Sequence, residues 1–264
     1  QCDADVVGSN SLINEVELCN IYHSAFANMG LKDYALKINS RKLLAALAEV
    51  CGGADKMIDI TIAIDKLDKI GIEKVKEELL AKNLDATQVS KIESYLNISG
   101  SNEEKLAAIE TLFAGNGTAQ KGIEELSFVL AHTGNVNIGL DLTLARGLNY
   151  YTGLIFEVKA PDTVKMGSIG GGGRYDDLTG LFGVPGIPGV GISFGVDRIY
   201  DVLEELKLFP ASLQAGSQAL FFNMGSNESI WQRDFQSERL MSGIWPSQIV
   251  CSLTLHAQLQ NSHA

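Results

Sequence analysis

The hydrophobic period of this chain shifts near Gly134 from a long helical stretch to strands, and that shift sets what the chain can fold into. From about Asp65 to Gly134 the apolar residues recur at helical spacing beneath a polar face, with helix starts expected at Gly71, Asp85, Ser101 and Thr118. Ser101 and Glu104 have capping-box spacing, in which the serine accepts from the third helical amide and the glutamate reaches back. Beyond Gly134 the period drops to two. Val136, Ile138, Leu140 and Leu142 alternate with smaller or polar residues, and Leu154, Phe156 and Val158 do the same, which are antiparallel strand signals. Gly189 to Gly195 reads as a further strand, leading into a helix from Val196 to Leu206. The first fifty residues read as β-α-β-α: a strand over 3–8, a helix capped by Asn10, a strand from Tyr34 to Asn39, and a helix from Arg41 to Val50 capped by Ser40. The expected fold is α+β, an antiparallel sheet flanked by helices with a small helical domain inserted.

The 264 residues, 45% hydrophobic and 20% charged, suffice for a large core, and no apolar run approaches the roughly 20 residues that cross a membrane. A net charge of −11 argues against nonspecific nucleic-acid binding, DNA included, because that affinity comes from lysine and arginine neutralising phosphates. Between Asp65 and Glu125 there are eight lysines, no arginine and twelve acids, the composition of a solvated helical module. Cys2, Cys19, Cys51 and Cys251 form no CxxC pair, so neither a zinc site nor a disulfide framework is expected. The first residues have neither a basic nor an apolar leader character, and the cytoplasm is the expected compartment. The expected divisions are 1–64 and 135–210 for the two parts of one core, 65–134 for the helical insertion, and 211–264 for the remnant or start of a further α/β domain.

The chemistry-bearing residues cluster in two short spans, Arg146-Gly147-Leu148-Asn149-Tyr150-Tyr151-Thr152-Gly153 and Gly170-Gly171-Gly172-Gly173-Arg174-Tyr175-Asp176. A guanidinium grips a carboxylate or phosphate at two points and stays charged at any working pH. On an extended backbone Tyr150 and Tyr151 face opposite sides, and a tyrosine hydroxyl can pair with an imidazole nitrogen. The glycine run lets a ligand approach where any Cβ would block it, and its flanking residues argue for an ordered turn. No lysine-serine or lysine-threonine pair follows it, so it is not a Walker loop. Arg198 stands near the start of the last helix, where free amides and the macrodipole favour anions.

These motifs together resemble the histidyl-tRNA synthetases. Gly189 to Arg198 is similar to the third class II synthetase motif, with Asp197-Arg198 where glutamate is the usual acid, and Arg146 to Gly153 is similar to the histidine-specific signature, with Asn149 in place of aspartate. Gln1-Cys2-Asp3-Ala4-Asp5 resembles the tail of the second motif. The resemblance covers roughly Gln1 to Phe222 and implies a class II synthetase sheet. It places Arg146 on the histidine carboxylate and the scissile phosphate, as the catalytic residue. Gln1 falls on the amino group, Asp5 on the imidazole, and Tyr150, Tyr151, Gly171 and Gly172 in the histidine pocket. Arg198, Gly195 and Gly173 fall on ATP.

The implied enzyme is an aminoacyl-tRNA synthetase, a ligase that makes histidyl-adenylate from histidine and ATP and passes it to tRNA(His). Its partners are histidine, ATP and tRNA(His), with Mg2+ arriving on ATP and no tightly bound cofactor. Such chemistry at phosphorus needs positioning and charge stabilisation rather than a protein nucleophile. In the family the dimer-forming first motif and a second-motif arginine lie upstream of Gln1, so a catalytic-domain fragment is expected, from a protein that is a homodimer when intact. Two other readings are a histidine-binding regulatory paralogue of the histidine-biosynthesis type and a structural module with a vestigial pocket.

Overall fold

A computed structural model describes residues 2–134, 136–145 and 150–210, together with the backbone of 219–222 and 249–252. The chain divides into two compact units, residues 1–208 and 209–264. In the second, strands Ala219–Phe222 and Ile249–Ser252 pair in parallel.

The first unit is built on six strands: β1 (Cys2–Val7), β2 (Ala35–Ser40), β3 (Ile138–Leu140), β4 (Leu154–Lys159), β5 (Ser168–Tyr175) and β6 (Gly189–Phe194). Their spatial order is β1-β6-β5-β4-β2-β3. Four of the five pairings are antiparallel, but β3 runs parallel to β2, against the expectation from its alternation. Period two reports which faces are buried, not the direction of a neighbouring strand. The glycine run is another correction: Gly170 to Gly173 is the middle of β5 rather than a turn. Glycine is a weak strand former, so this segment is held extended by pairing to β4 and β6 on its two sides.

Among the described residues eight α-helices accompany the sheet: α1 (Ile13–Asn28), α2 (Arg41–Val50), α3 (Met57–Asp65), α4 (Leu67–Ala81), α5 (Ala86–Leu96), α6 (Asn102–Leu112), α7 (Gly117–His132) and α8 (Val196–Glu205). The Ser40 side chain caps α2, and Asp85 with Gln88 and Ser101 with Glu104 form capping boxes on α5 and α6. Asn116 rather than Thr118 caps α7, and α1 begins at Ile13 without a side-chain cap, its upstream turn being held by Ser9 instead of Asn10. The helical stretch starts at Met57, earlier than its polar face suggested, and α4 is interrupted at Gly71, whose φ of 78° suits glycine.

On one face of the sheet α1 and α7 cover the apolar side of the strands. Leu36, Ile38, Leu154 and Val158 are buried there, and Phe194 stacks edge-on against Tyr22 and lies beside Phe26 of α1. At the far edge of the sheet Asn102 substitutes for a missing strand: its side-chain oxygen accepts from the Leu140 amide at 2.8 Å and its amide donates to the Ile138 carbonyl at 3.1 Å. Among the described residues no helix is long and apolar enough to cross a membrane.

Cys19 and Cys51 are buried, whereas Cys2 is exposed. Burial, reinforced by the charge of Glu15, pushes the Cys19 thiol up to about 12, and burial pushes Cys51 up to about 11 against the opposing pull of Lys91. A thiol raised in the folded state adds stability below its unfolded value of 9.0 and loses that contribution as pH climbs through about 11. Iodoacetamide at pH 8 is therefore expected to label Cys2 in the folded chain and to spare Cys19 and Cys51 until urea is added. Peptide mass mapping that found Cys51 labelled as fast as Cys2 would contradict this packing.

Candidate active site

Residues opposed across an antiparallel ladder share a face, so the register lays out the second face of the sheet in rows. One row crosses five strands as Asp5, Gly191, Gly173, Ile155 and Asn39. The next runs Asp3, Ser193, Gly171, Glu157 and Lys37. A third pairs Val7 with Gly189 and Tyr175. Gly171, Gly173, Gly189 and Gly191 thus form a floor without side chains in the middle of this face, bordered by carboxylates: Asp3 and Asp5 on one side, Glu157 on the other.

Neighbouring side chains lie over that floor. The Asp5 carboxylate covers Gly191 so closely that a Cβ there would sit 1.9 Å from Asp5 Oδ1. The Tyr175 ring lies over Gly189 and its hydroxyl donates to Asp5 Oδ1 at 2.8 Å. The Tyr151 ring covers Gly173, with its Cδ1 2.9 Å from where a Cβ would be. Tyr150 and Tyr151 do not face opposite ways: their rings meet edge to face at 4.9 Å, and Tyr150 meets Tyr175 at 6.1 Å. Three aromatic rings and one carboxylate therefore surround Gly173 and Gly191. Burial, then the hydrogen bond and charge of Asp5, push the Tyr175 phenol up to about 12, and burial with Tyr150 beside it raises Tyr151 as well. Tyr175 is thus a hydrogen-bond donor at neutral pH, and among the described residues it is Asp5 Oδ1 that accepts from it.

The floor is braced from beneath by Tyr22, whose hydroxyl lies 2.9 Å from the Ser193 carbonyl and 3.1 Å from that of Gly171. To one side, the fully buried Asn39 amide donates to the Leu144 carbonyl at 2.9 Å while its oxygen accepts from the Ser40 amide at 2.8 Å. Asn39 thereby fixes the segment that leads in sequence to Arg146.

A family model for histidyl-tRNA synthetase matches residues 1–199. The chain belongs to the histidyl-tRNA synthetase family. It is 50% identical over 255 residues to the histidine–tRNA ligase of Christiangramia forsetii, covering 93% of this chain and 56% of that protein. The chain thus spans about half the length of the curated relatives it matches. Its structure is similar to that of histidyl-tRNA synthetase from Nostoc sp. PCC 7120, with a TM-score of 0.77 at 28% identity over 99% of this chain and 63% of that one. A Bacillus halodurans structure titled as an ATP phosphoribosyltransferase regulatory subunit/histidyl-tRNA synthetase has a TM-score of 0.70 at 18% identity, covering 98% of this chain and 65% of that one, a likeness of fold alone.

In this synthetase-family chain Asp5, Tyr150, Tyr151, Gly171 and Gly173 converge on one face, whereas Gln1 and Arg146 lie outside the described residues. A Cβ at Gly172 would come within 2.1 Å of the Gly191 carbonyl oxygen, so this glycine serves the close approach of β5 and β6. Gly195 donates its amide to Ile169 at 2.9 Å where β6 gives way to α8. Arg198 is exposed and donates to the Ser168 carbonyl at 2.7 Å. Ser168 and Tyr175 are the two ends of β5, so Arg198 is tethered about 23 Å along the strand from Tyr175 and about 17 Å from Gly173 beneath the Tyr151 ring. Tyr175 and Glu157 were not singled out from sequence as site residues. Tyr175 belongs to the glycine-rich motif, and Glu157 is the polar member of the Leu154, Phe156, Val158 alternation, which is the signal that could have found it.

Proposed function

We propose that this chain is catalytic-core sequence of a histidine–tRNA ligase, activating histidine with ATP and transferring it to tRNA(His). The observation that carries this reading is the Tyr175 to Asp5 hydrogen bond above Gly191, with Tyr150 and Tyr151 alongside. A carboxylate beside aromatic rings accepts from an imidazole N–H, a charge-assisted bond that side chains lacking that donor cannot make. Arg146 holds the histidine carboxylate and the reacting phosphate, and Gln1 holds the amino group. Arg198, with Gly195, serves the ATP end of the floor, Gly173 lies towards the histidine end beneath Tyr151, and Mg2+ enters as part of the ATP substrate. Residues 65–134 contain an inserted helical module, whose last helix, α7, returns to pack on the sheet, and residues 211–264 are the remnant or start of an anticodon-binding-type domain. The intact protein is a cytoplasmic homodimer.

Histidine-dependent exchange of labelled pyrophosphate into ATP tests this reading. Exchange by a chain extended upstream of Gln1, lost in its Arg146→Ala variant, is the expected result. Histidine binding without exchange, in this chain and in one extended upstream of Gln1, would favour a regulatory paralogue, a reading against which the 50% identity to a histidine–tRNA ligase weighs. Failure to bind either ligand would leave a structural module.

A further inference from the structure

Directly behind the aromatic cluster lies a buried ion pair that no step of histidine activation uses. Arg174 is 4% exposed and Glu15 of α1 is fully buried. The Arg174 guanidinium is bidentate: Nε donates to Glu15 Oε1 and Nη2 to Oε2, the latter at 2.8 Å. Its remaining donors reach the turn that follows β1, with Nη1 on the Ser9 carbonyl at 3.1 Å and Nη2 on the Ser11 carbonyl at 3.4 Å. Its aliphatic stem lies against Gly153, where a Cβ would meet the Arg174 Cδ at 3.1 Å, and the Arg174 carbonyl accepts from the Thr152 amide at 2.9 Å.

Each of these contacts leads to a different wall of the pocket. The turn at Ser9 and Ser11 continues β1, which carries Asp5. Gly153 and Thr152 continue the segment that carries Tyr150 and Tyr151. Arg174 itself lies between Gly173 and Tyr175 in β5. Because side chains alternate along a strand, the residue that reaches back to α1 is the one flanked by two pocket residues. We propose that Arg174, oriented by Glu15, is a positioning residue that fixes the three segments forming the histidine pocket relative to one another. The planar fork is what the task requires, since five donors in a rigid plane can hold two backbone carbonyls and a carboxylate at once, and a lysine ammonium cannot. The fit of the buried charge with its partner is retained for geometry, since apolar replacement of such pairs often leaves stability intact. This role rests on the histidine reading of the face.

The test compares Arg174→Lys and the double variant Arg174→Met/Glu15→Leu with the unaltered chain, using calorimetric titration of histidine and of ATP together with amide hydrogen exchange. The double variant removes both charges, so a folded protein is obtained even where a single change leaves one charge stranded. The expected result is histidine affinity at least tenfold weaker in both variants and ATP affinity within about twofold. Exchange is expected to be faster in 8–12 and 151–153 and unchanged in β2. A double variant that binds histidine as tightly as the unaltered chain would overturn the proposal, as would exchange accelerated uniformly through the sheet. An unaltered chain that binds no histidine would defeat the histidine reading itself, and the segment-specific exchange would still decide whether Arg174 holds the two segments.

Discussion

Gly191→Ala is expected to weaken histidine binding by tenfold to a hundredfold while leaving the chain folded. The new Cβ would stand 1.9 Å from Asp5 Oδ1 and 2.5 Å from its Cγ, so the carboxylate has to swing away. Asp5 is an exposed side chain on the outer strand of the sheet, and it can rotate at little cost to the core. Moving it breaks the Tyr175 hydrogen bond and removes the acceptor for the imidazole. A hydrogen bond to a charged group is worth about 1.5–3 kcal/mol, which gives the stated range. The comparison is a double-mutant cycle with Asp5→Ala. Once the carboxylate is gone, the added methyl has nothing to displace, so Gly191→Ala should change histidine affinity by less than about twofold in that background. Equal losses in both backgrounds would mean that the methyl blocks the floor directly and that Asp5 is not the group it acts through.

The parts of this fold that could be read from sequence are those whose cause is local. Ser40, Asp85 and Ser101 cap their helices because the capping side chain and its target amide lie within three residues of each other. The start of α3 was not legible, because Met57-Ile58-Asp59-Ile60-Thr61-Ile62 is rich in β-branched residues and has no side-chain cap. Tertiary burial of Ile60 and Ile64 makes that segment helical. The glycine run carries no side chains from which an alternation could be read, so its strand character comes entirely from its neighbours in the sheet.

The site divides along the same line. Asp5, Tyr150, Tyr151, Gly171 and Gly173 could be named because a motif carries them, but their mutual arrangement depends on contacts between distant segments. Asp5 and Tyr175 are 170 residues apart, and Glu15 and Arg174 are 159 apart. An arginine beside a glycine run looks like a ligand-facing residue in sequence. Strand parity turns Arg174 to the opposite side, and only the register β5 adopts with β4 and β6 fixes which residues share the floor.

That register is also the most vulnerable feature of the floor, and Gly172→Ala should expose it. A Cβ at Gly172 would lie 2.1 Å from the Gly191 carbonyl oxygen and 2.8 Å from the Ile192 Cα. Both atoms belong to the backbone of β6, which is paired on both its edges, so neither can rotate out of the way. The strands have to part locally, at an expected cost of about 3 kcal/mol, or roughly 6–12 °C in melting temperature for a unit of this size. Gly171→Ala provides the contrast, because its nearest neighbour, the Phe156 carbonyl oxygen, is 3.3 Å away and a shift of a few tenths of an ångström relieves it. Thermal unfolding of the two variants should therefore differ by most of that interval, with Gly172→Ala the less stable. Equal melting temperatures would show that β5 and β6 can separate freely. Rows that place Gly173 against Gly191 and Tyr175 against Gly189 would then no longer be rigid enough to hold an aromatic pocket at hydrogen-bonding distance from Asp5.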